Sequence, residues 1–312
     1  MLRQSILTLA LLFSISSQSQ SADYKVLGCD RGFVSLVNSK GKVEWQLPLR
    51  YGGAHDVWKL GNGNFLLHTG RATVEEMTPK GKSVWKYTAR PIKKRGRVEI
   101  HAFQRLKNGT TLVAESGNRR LVEVDAKGKI VKSIPLTLNR PHPHRDTRLV
   151  RKLSTGNYLV AHEGDGMVRE YDSKGKVVWS YKLDLGGRPR SRGHGVEGHG
   201  VEVFSAVRLP NGNTLIGGGN NNRVLEVNRE GQIVWKLDQK ELKGITLAWV
   251  TTLHVLPNGN IIVGNCHAGP SNPQLFEVTR DKKVVWKFNN FKVFGNNLAA
   301  TQVLGLPVGS IR

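Results

Sequence analysis

Basic and imidazole side chains concentrate in three segments of this sequence, residues 90–97, 139–148 and 186–200. The guanidinium group of arginine is a planar fork that binds a sulfate, phosphate or carboxylate group through two hydrogen bonds. The chemistry that these segments predict is therefore the binding of an anion. Five arginines are the candidates for this role: Arg145, Arg148, Arg188, Arg190 and Arg192.

A metal site is the alternative for the second segment. His142 and His144 are separated by one residue, and Pro141 and Pro143 favour an extended chain from which both imidazoles project in the same direction. Glu163, which lies in a later segment, could complete a set of nitrogen and oxygen ligands. No compact ligand motif accompanies these residues, so metal binding ranks below anion binding.

A repeated turn motif predicts the strands that must position these segments. Residues 172–179 contain an acidic turn opener, a Lys-Gly-Lys tip, two β-branched residues and a tryptophan, a pattern that indicates a hairpin turn leading into a strand. Related turns recur 40 to 56 residues apart, and strand-only repeats of that length are typical of propeller blades. The tryptophans are expected to pack between blades. The six turns are centred on Gly41, Gly81, Gly128, Gly175, Gly231 and Lys282.

A second repeat, Leu-Pro-Asn-Gly-Asn or a close variant, falls between these turns. Asn-Gly between alternating apolar residues is a strong hairpin signal, and each copy has a predicted strand on either side. Each blade is therefore predicted to be an antiparallel meander of four strands. The five copies occupy residues 60–64, 106–110, 153–157, 209–213 and 256–260.

The strand count predicts how the ring closes. The first strand of a sixth blade falls at residues 301–306. The other three strands of that blade lie in residues 24–49. We therefore predict an all-β fold, a six-bladed β-propeller of four-stranded antiparallel blades, closed by pairing the N-terminal strands with the C-terminal strand. The five complete units begin near His55, His101, Arg148, Phe204 and Thr251.

The meander also separates two faces of the molecule. Because turns alternate sides, the short repetitive turns share one face and the three long basic segments share the other. His55, His101 and Arg148 stand at matching register where three inner strands begin on that second face. Eight or nine of the ten histidines map to the same face. This segregation favours a functional anion or metal site over scattered structural histidines.

The N-terminal residues 1–22 are predicted to be a signal peptide, because a basic start and a short hydrophobic run precede small residues. Residues 23–312 are predicted to form one propeller domain that is secreted or periplasmic and monomeric. Since no later stretch approaches 18 consecutive apolar residues, we expect no stable membrane insertion.

The charge balance favours anionic partners. Lysine and arginine number 47 and aspartate and glutamate 24, which gives a net charge of +23. The electrostatic field of this charge attracts polyanions over roughly 8 Å at physiological salt. Nucleic acid is not favoured, because the basic segments lack interleaved aromatic residues. Two cysteines, Cys29 and Cys266, leave either one bridge or two free thiols as alternatives.

The repeats resemble two propeller families. Residues 172–179, Asp-x-x-x-Gly-Lys-x-x-Trp, look like the tryptophan-docking repeat of quinoprotein propellers that bind pyrroloquinoline quinone (PQQ). Residues 209–216 and 231–235 are more similar to repeats of the arylsulfotransferase-like propellers, which are six-bladed and exported. PQQ itself is not expected, because the adjacent cysteine pair of the quinoprotein alcohol dehydrogenases is missing. No cofactor is predicted, with a divalent metal as the alternative.

The arylsulfotransferase-like resemblance implies sulfuryl transfer through a histidine nucleophile, surrounded by histidine and arginine in the central channel. A nucleophilic imidazole needs its second nitrogen oriented by a partner, and nearby cations must stabilise the charge that moves. The resemblance does not fix which histidine acts. The candidates for catalysis are His55, His101, His162 and His267.

Two hypotheses remain. The first is a non-enzymatic exported propeller whose His/Arg-rich face binds an anionic small molecule or a sulfated or acidic polysaccharide. The second is an enzyme, with sulfuryl transfer preferred to metal-assisted cleavage of a polysaccharide. Convergence of the candidate side chains on one point would favour chemistry, and their dispersal would favour a binding surface.

Overall fold

The computed structural model describes residues 23–312 and shows 24 β-strands within them, arranged as six antiparallel sheets of four strands, with no helix in that range. The strands in chain order are β1 Lys25–Asp30, β2 Phe33–Val37, β3 Val43–Pro48, β4 Val57–Lys59, β5 Phe65–Gly70, β6 Thr73–Met77, β7 Ser83–Thr88, β8 Glu99–Arg105, β9 Thr111–Ser116, β10 Arg120–Val124, β11 Ile130–Pro135, β12 Val150–Lys152, β13 Tyr158–His162, β14 Met167–Tyr171, β15 Val177–Lys182, β16 Ser205–Arg208, β17 Thr214–Gly217, β18 Val224–Val227, β19 Ile233–Leu237, β20 Trp249–Val255, β21 Ile261–Cys266, β22 Leu275–Val278, β23 Val284–Phe288 and β24 Ala300–Leu304.

Each sheet is one blade of a closed propeller. Blades 1 to 5 are β4–β7, β8–β11, β12–β15, β16–β19 and β20–β23, and blade 6 has the order β24-β1-β2-β3. In blade 6, Val26 of β1 lies opposite Val303 of β24 in an antiparallel pair. The predicted six blades and their closure by the two ends of the described chain are therefore confirmed. The predicted signal peptide lies outside the described residues.

No helix in residues 23–312 is long and apolar enough to cross a membrane.

The two predicted turn types form where the sequence places them. The amide of Gly156 donates to the carbonyl of Leu153 at 3.0 Å, and Gly156 has φ 89°, a conformation that residues with a Cβ rarely adopt. In the acidic turn, the Asp172 carboxylate accepts the amides of Lys174 and Lys176 at 2.8 and 2.9 Å. The turn glycines are therefore required by backbone conformation.

Tryptophans of the outermost strands dock onto the following blade. The indole Nε1–H of Trp179 donates to the carbonyl of Arg229 at 2.9 Å, and only 9% of the residue is exposed. The bond joins β15 of blade 3 to the acidic-type turn of blade 4. The prediction that these residues pack between blades is confirmed. Three other tryptophans donate to the next blade in the same way, Trp45, Trp85 and Trp235.

A buried glutamate on the third strand of a blade adds a second link. Glu170 accepts 2.7 Å hydrogen bonds from the Asn157 amide of its own hairpin and from Arg208 of the next blade. The Arg208 guanidinium also lies 4.7 Å from the centre of the Trp179 ring. The side-chain amide of Asn157 therefore orients the ion pair between Glu170 and Arg208, which joins blades 3 and 4. In three other blades the equivalent glutamate accepts a hydrogen bond from the side-chain amide of the equivalent asparagine. These glutamates are Glu76, Glu226 and Glu277.

A buried aspartate joins the inner strands. Asp56 accepts hydrogen bonds from Arg151 at 2.8 Å and from Arg312 at 2.5 Å, and the Arg312 guanidinium lies 3.8 Å from the Trp58 ring centre. Burial lowers the pKa of Arg312 to about 9, so the side chain stays charged at neutral pH. Asp56 therefore ties blades 1 and 3 together across the ring.

Replacing Trp179 by phenylalanine should lower the free energy of unfolding by about 1 kcal/mol or more, because the smaller phenyl ring keeps only part of the packing and the hydrogen bond to Arg229 is lost. Trp179→Ala should cost roughly 3 kcal/mol or more, since the buried ring is also removed. Urea unfolding would measure both changes. Val178→Ala is the matched control on the exposed side of β15 and should change stability by less than about 0.5 kcal/mol. Equal losses for Val178→Ala and Trp179→Phe would contradict docking.

Candidate functional site

A cavity of about 530 Å³ opens on the face that carries the long segments. Its walls come from blades 1, 3, 4 and 5 and from the segment that precedes β24. The side chains that line it include basic, imidazole, acidic and aromatic groups. They are His55, His144, Arg145, Arg148, Glu163, Arg190, Ser191, Arg192, His194, Glu202, Phe204, Asn220, Trp249, Cys266, His267, Asn297 and Ala299, with Gly193.

Buried carboxylates hold segment 139–148 at the cavity edge. Asp165, in the loop between β13 and β14, accepts the backbone amides of Asn139 and Arg140 at 2.9 and 2.8 Å. Asp146 lies within the segment and accepts the amides of Gly117 and His142 at 2.8 and 2.5 Å. The segment is thereby held at both ends, and His144 and Arg145 between them line the cavity.

Segment 186–200 is held by asparagines of blade 4. Ser191 and His199 form a two-bond antiparallel bridge within the segment, with N–O distances of 2.8 and 3.0 Å. Asn221 donates to the carbonyl of Gly200 at 2.7 Å, and Asn222 donates to that of Gly198 at 2.5 Å. These asparagines, in the loop between β17 and β18, were not among the residues that the sequence singled out.

Four of the five predicted anion-binding arginines line the cavity. Arg145 and Arg192 are exposed, and neither guanidinium makes a hydrogen bond to another part of residues 23–312. Arg190 is paired with Glu202 at 2.5 Å. Arg188 is outside the cavity, because its guanidinium donates to Gln239 at 2.6 Å and to a backbone carbonyl at 2.8 Å.

Arg148 has a different environment from the exposed arginines. It is 4% exposed, its Nε forms an ion pair with Glu163, and its Nη1 donates to the carbonyl of His144 at 2.5 Å. Burial raises the pKa of Glu163, and the neighbouring Arg148 opposes that rise. Arg148 therefore forms a fixed cationic wall of the cavity.

The predicted catalytic histidines are divided between the cavity and the core. His55 and His267 line the cavity, whereas His101 is fully buried behind it. The rings of His55 and His101 are 4.8 Å apart between centres. Burial, with Arg148 close by, lowers the pKa of His101 to about 3.

His162 is a buried structural residue in this fold. Its Nδ1 lies 2.7 Å from the carbonyl oxygen of Asp146, and its Nε2 lies 2.8 Å from the hydroxyl oxygen of Tyr171, which also donates to the carbonyl of Thr137. Burial lowers its pKa to about 4. With both nitrogens satisfied and no surface in the cavity, His162 is not placed with the other three candidates.

The predicted metal trio is not assembled as one group. His142 lines a separate cavity of about 270 Å³ beside residues 90–97, whereas His144 and Glu163 line the main cavity. His144 instead meets Glu99, whose carboxylate oxygen lies 2.7 Å from His144 Nδ1 and 3.1 Å from His101 Nε2. The ligand atoms of these three residues all lie within 4.8 Å of one another.

Glu99 was missed in the sequence, although a signal for it was present. Glu99 and His101 are two residues apart in β8, and alternate residues of a strand face the same side. The cavity aromatics Phe204 and Trp249 gave no comparable signal beyond their position at the start of an inner strand. Cys29 and Cys266 are both buried free thiols.

A family model described as outer membrane protein assembly factor BamB (PQQ_2) matches residues 30–288. The chain belongs to this family. The BamB-like match confirms the PQQ-like repeat, whereas the arylsulfotransferase-like resemblance stays a prediction. No curated protein matches the sequence.

Solved structures share the fold of this BamB-like chain. A protein of unknown function from Bacteroides caccae is 25% identical with a TM-score of 0.74, over 91% of this chain and 99% of that chain. A streptogramin B lyase is 12% identical with a TM-score of 0.56, over 86% and 83% of the two chains. A virginiamycin B lyase from Staphylococcus aureus is 12% identical, with a TM-score of 0.55 and 86% coverage of each chain. The two lyases therefore share the propeller architecture.

The buried histidine His68 should make stability depend on pH. Burial lowers its pKa from 6.5 to about 4, and neither ring nitrogen has a hydrogen-bond partner in residues 23–312. Because the unfolded chain takes up this proton first, the free energy of unfolding should fall between about pH 6.5 and pH 4. The slope from this one residue approaches about 1.4 kcal/mol per pH unit. Urea unfolding of His68→Leu across that range should show a shallower slope, and an unchanged slope would contradict this assignment.

Proposed function

We propose that the cavity binds an anionic ligand, such as a sulfated or acidic polysaccharide fragment, on a protein that the sequence predicts to be exported. The observation that carries this proposal is the convergence of Arg145, Arg148, Arg190 and Arg192 on one concave surface. Two of them, Arg145 and Arg192, retain guanidinium groups without hydrogen-bond partners in the described chain. Those groups are free to form paired hydrogen bonds with sulfate or carboxylate.

The charge balance of the cavity supports the same ligand class. Its lining contains four arginines and two carboxylates, Glu163 and Glu202, so its fixed charge is positive with the histidines neutral. A concave surface with a net positive charge focuses the electrostatic field and raises the local concentration of anions. The surrounding charge of +23 adds long-range attraction for a polyanion.

The apolar part of the wall supports a ligand with a ring. Trp249 and Phe204 line the cavity, and His194 packs edge-on against Trp249 with ring centres 4.7 Å apart. Flat aromatic surfaces contact sugar or aryl rings over a large area. A volume of about 530 Å³ falls within the usual range of small-ligand sites. An anionic sugar or a short oligosaccharide fits these features.

Replacing Arg145 or Arg192 by alanine should weaken the binding of a heparin-derived tetrasaccharide by about 10- to 100-fold, because each change removes a charge-assisted hydrogen bond. Titration calorimetry at several salt concentrations in the presence of EDTA would measure this. The matched controls are Lys80→Ala and Lys174→Ala, which remove the same charge from exposed turns on the other face. An equal loss in these controls, or no binding by the native protein at low salt, would refute the cavity as the site.

Sulfuryl transfer is the second candidate, and one contact favours it. The Nδ1–H of His144 can donate to Glu99 at 2.7 Å, which leaves Nε2 of this half-exposed ring available to the cavity. In this reaction Nε2 attacks the sulfur of an aryl sulfate, and the sulfur–nitrogen bond forms while the sulfur–oxygen bond to the aryl group breaks. The bonding electrons leave with the aryl oxide. Arg145 and Arg148 lie in the same cavity and would stabilise the departing negative charge.

This candidate predicts a sulfo adduct on the protein after incubation with an aryl sulfate donor. Intact-mass analysis should detect the adduct in the native protein and in His142→Ala, and should find none in His144→Ala. His55→Ala and His101→Ala test the two histidines named from the sequence. Absence of both adduct and turnover in the native protein would eliminate sulfuryl transfer and leave the binding proposal intact.

A further inference from the structure

The group of Glu99, His101 and His144 lies at the back of the cavity and combines two imidazoles with one carboxylate. Oε2 of Glu99 is 3.1 Å from Nε2 of His101 and 2.7 Å from Nδ1 of His144. Glu99 and His101 are buried on β8, and His144 comes from segment 139–148. The three potential ligand atoms therefore point toward one another from two separate parts of the chain.

The spacing of the two imidazoles fits shared coordination of one ion. Zinc binds imidazole nitrogen at about 2.0–2.1 Å, so two rings on one tetrahedral ion have centres roughly 5 Å apart. The ring centres of His101 and His144 are 5.3 Å apart, with the rings nearly perpendicular at 89°. Small side-chain movements would place the three ligand atoms around one ion.

Both ring nitrogens of His101 have close polar partners. Its Nδ1 is 2.9 Å from the carbonyl oxygen of Thr147 and 3.2 Å from Nη1 of Arg148, and its Nε2 is 3.1 Å from Oε2 of Glu99. A neutral imidazole carries one proton, so only one of its two nitrogens can donate to these oxygen atoms. Binding of a cation by Nε2 requires the proton on Nδ1, where the Thr147 carbonyl would accept it.

The same contacts are those expected around a metal site. Histidine ligands commonly donate their second N–H to a backbone carbonyl, which fixes the ring, and the Thr147 carbonyl lies 2.9 Å from Nδ1 of His101 for this role. The other oxygen of Glu99 forms a salt bridge with Arg97, which would hold the carboxylate for binding through one oxygen. His144 has 46% of its side chain exposed, which gives an ion a path from the cavity.

We propose that Glu99, His101 and His144 bind one divalent transition-metal ion of the zinc class, with the remaining coordination position open to the cavity. Two nitrogens and one carboxylate oxygen with an open position are the ligand set of many catalytic zinc sites. Imidazole ligands disfavour calcium and magnesium, which prefer oxygen. The site goes beyond the proposed anion binding and does not depend on it. A metal ion bound to Nδ1 of His144 would replace the hydrogen bond from Nδ1 to Glu99 that sulfuryl transfer requires. Metal binding and sulfuryl transfer are therefore alternatives at this residue.

The test is metal content and affinity of the full protein after removal of metal with a chelator and reloading with Zn²⁺ or Co²⁺. Elemental analysis should find one ion per chain, and Co²⁺ should give the visible absorption of a tetrahedral site. His144→Ala and Glu99→Gln should each lower Zn²⁺ affinity at least about 100-fold. Loss of a direct ligand should weaken binding at least as much as loss of a residue that only hydrogen-bonds to a ligand. Competition with a chromophoric chelator would measure this.

His142→Ala is the matched control, because it removes an exposed imidazole two residues away in the same segment. It should retain one ion with unchanged affinity, and thermal unfolding should show that all variants are folded. Half-exposed His144 can be replaced without opening a buried cavity. No bound ion in the native protein at micromolar Zn²⁺, retention by His144→Ala, or an equal loss in His142→Ala would each overturn the proposal. Anion binding measured in EDTA is unaffected by any of these results.

Discussion

The antiparallel pairing of β1 with β24 is the constraint on which the cavity depends. Cavity residues such as His55, just before β4 of blade 1, and Ala299, just before β24 of blade 6, are far apart in sequence and lie on neighbouring blades because the ring is closed. An open arc of the same blades would separate these walls and leave two unpaired sheet edges. The site is therefore a property of the whole ring, although each blade is built from local hairpins.

The links that recur between blades do not involve the long segments. Trp179 on β15 donates to the acidic-type turn of blade 4, and Glu170 on β14 pairs with Arg208 at the end of β16. The same links recur around the propeller, so segments 139–148 and 186–200 are additions to a repeated set of contacts. Loops on a rigid scaffold can carry function without destabilising it.

The fold could be predicted because its signals are local, whereas much of the site depends on distant contacts. Gly156 and its counterparts specify hairpins through backbone conformation, so counting them gave the blades and the closure. By contrast, Arg188 leaves the cavity because it bonds to Gln239, and His162 is held in the core by Tyr171. Gln239 is 51 residues from Arg188 in the sequence, and the Asp146 carbonyl oxygen that His162 also contacts is 16 residues away, in the preceding segment. Glu99 was within reach, because its alternation with His101 on a strand is a local pattern.

The distribution of carboxylates explains how one cavity accommodates so many cations. A buried arginine without a partner would cost several kcal/mol, and Glu163 removes that cost for Arg148 by forming an ion pair with it. Arg145 and Arg192 are exposed and need no such partner, because water solvates them until a ligand replaces it. Buried Arg148 therefore gives the wall its shape, exposed Arg190 is paired with Glu202, and the unpaired Arg145 and Arg192 supply the charge that an anion would neutralise. The difference between Arg148 and the two unpaired arginines follows from burial, since the chemical group is the same.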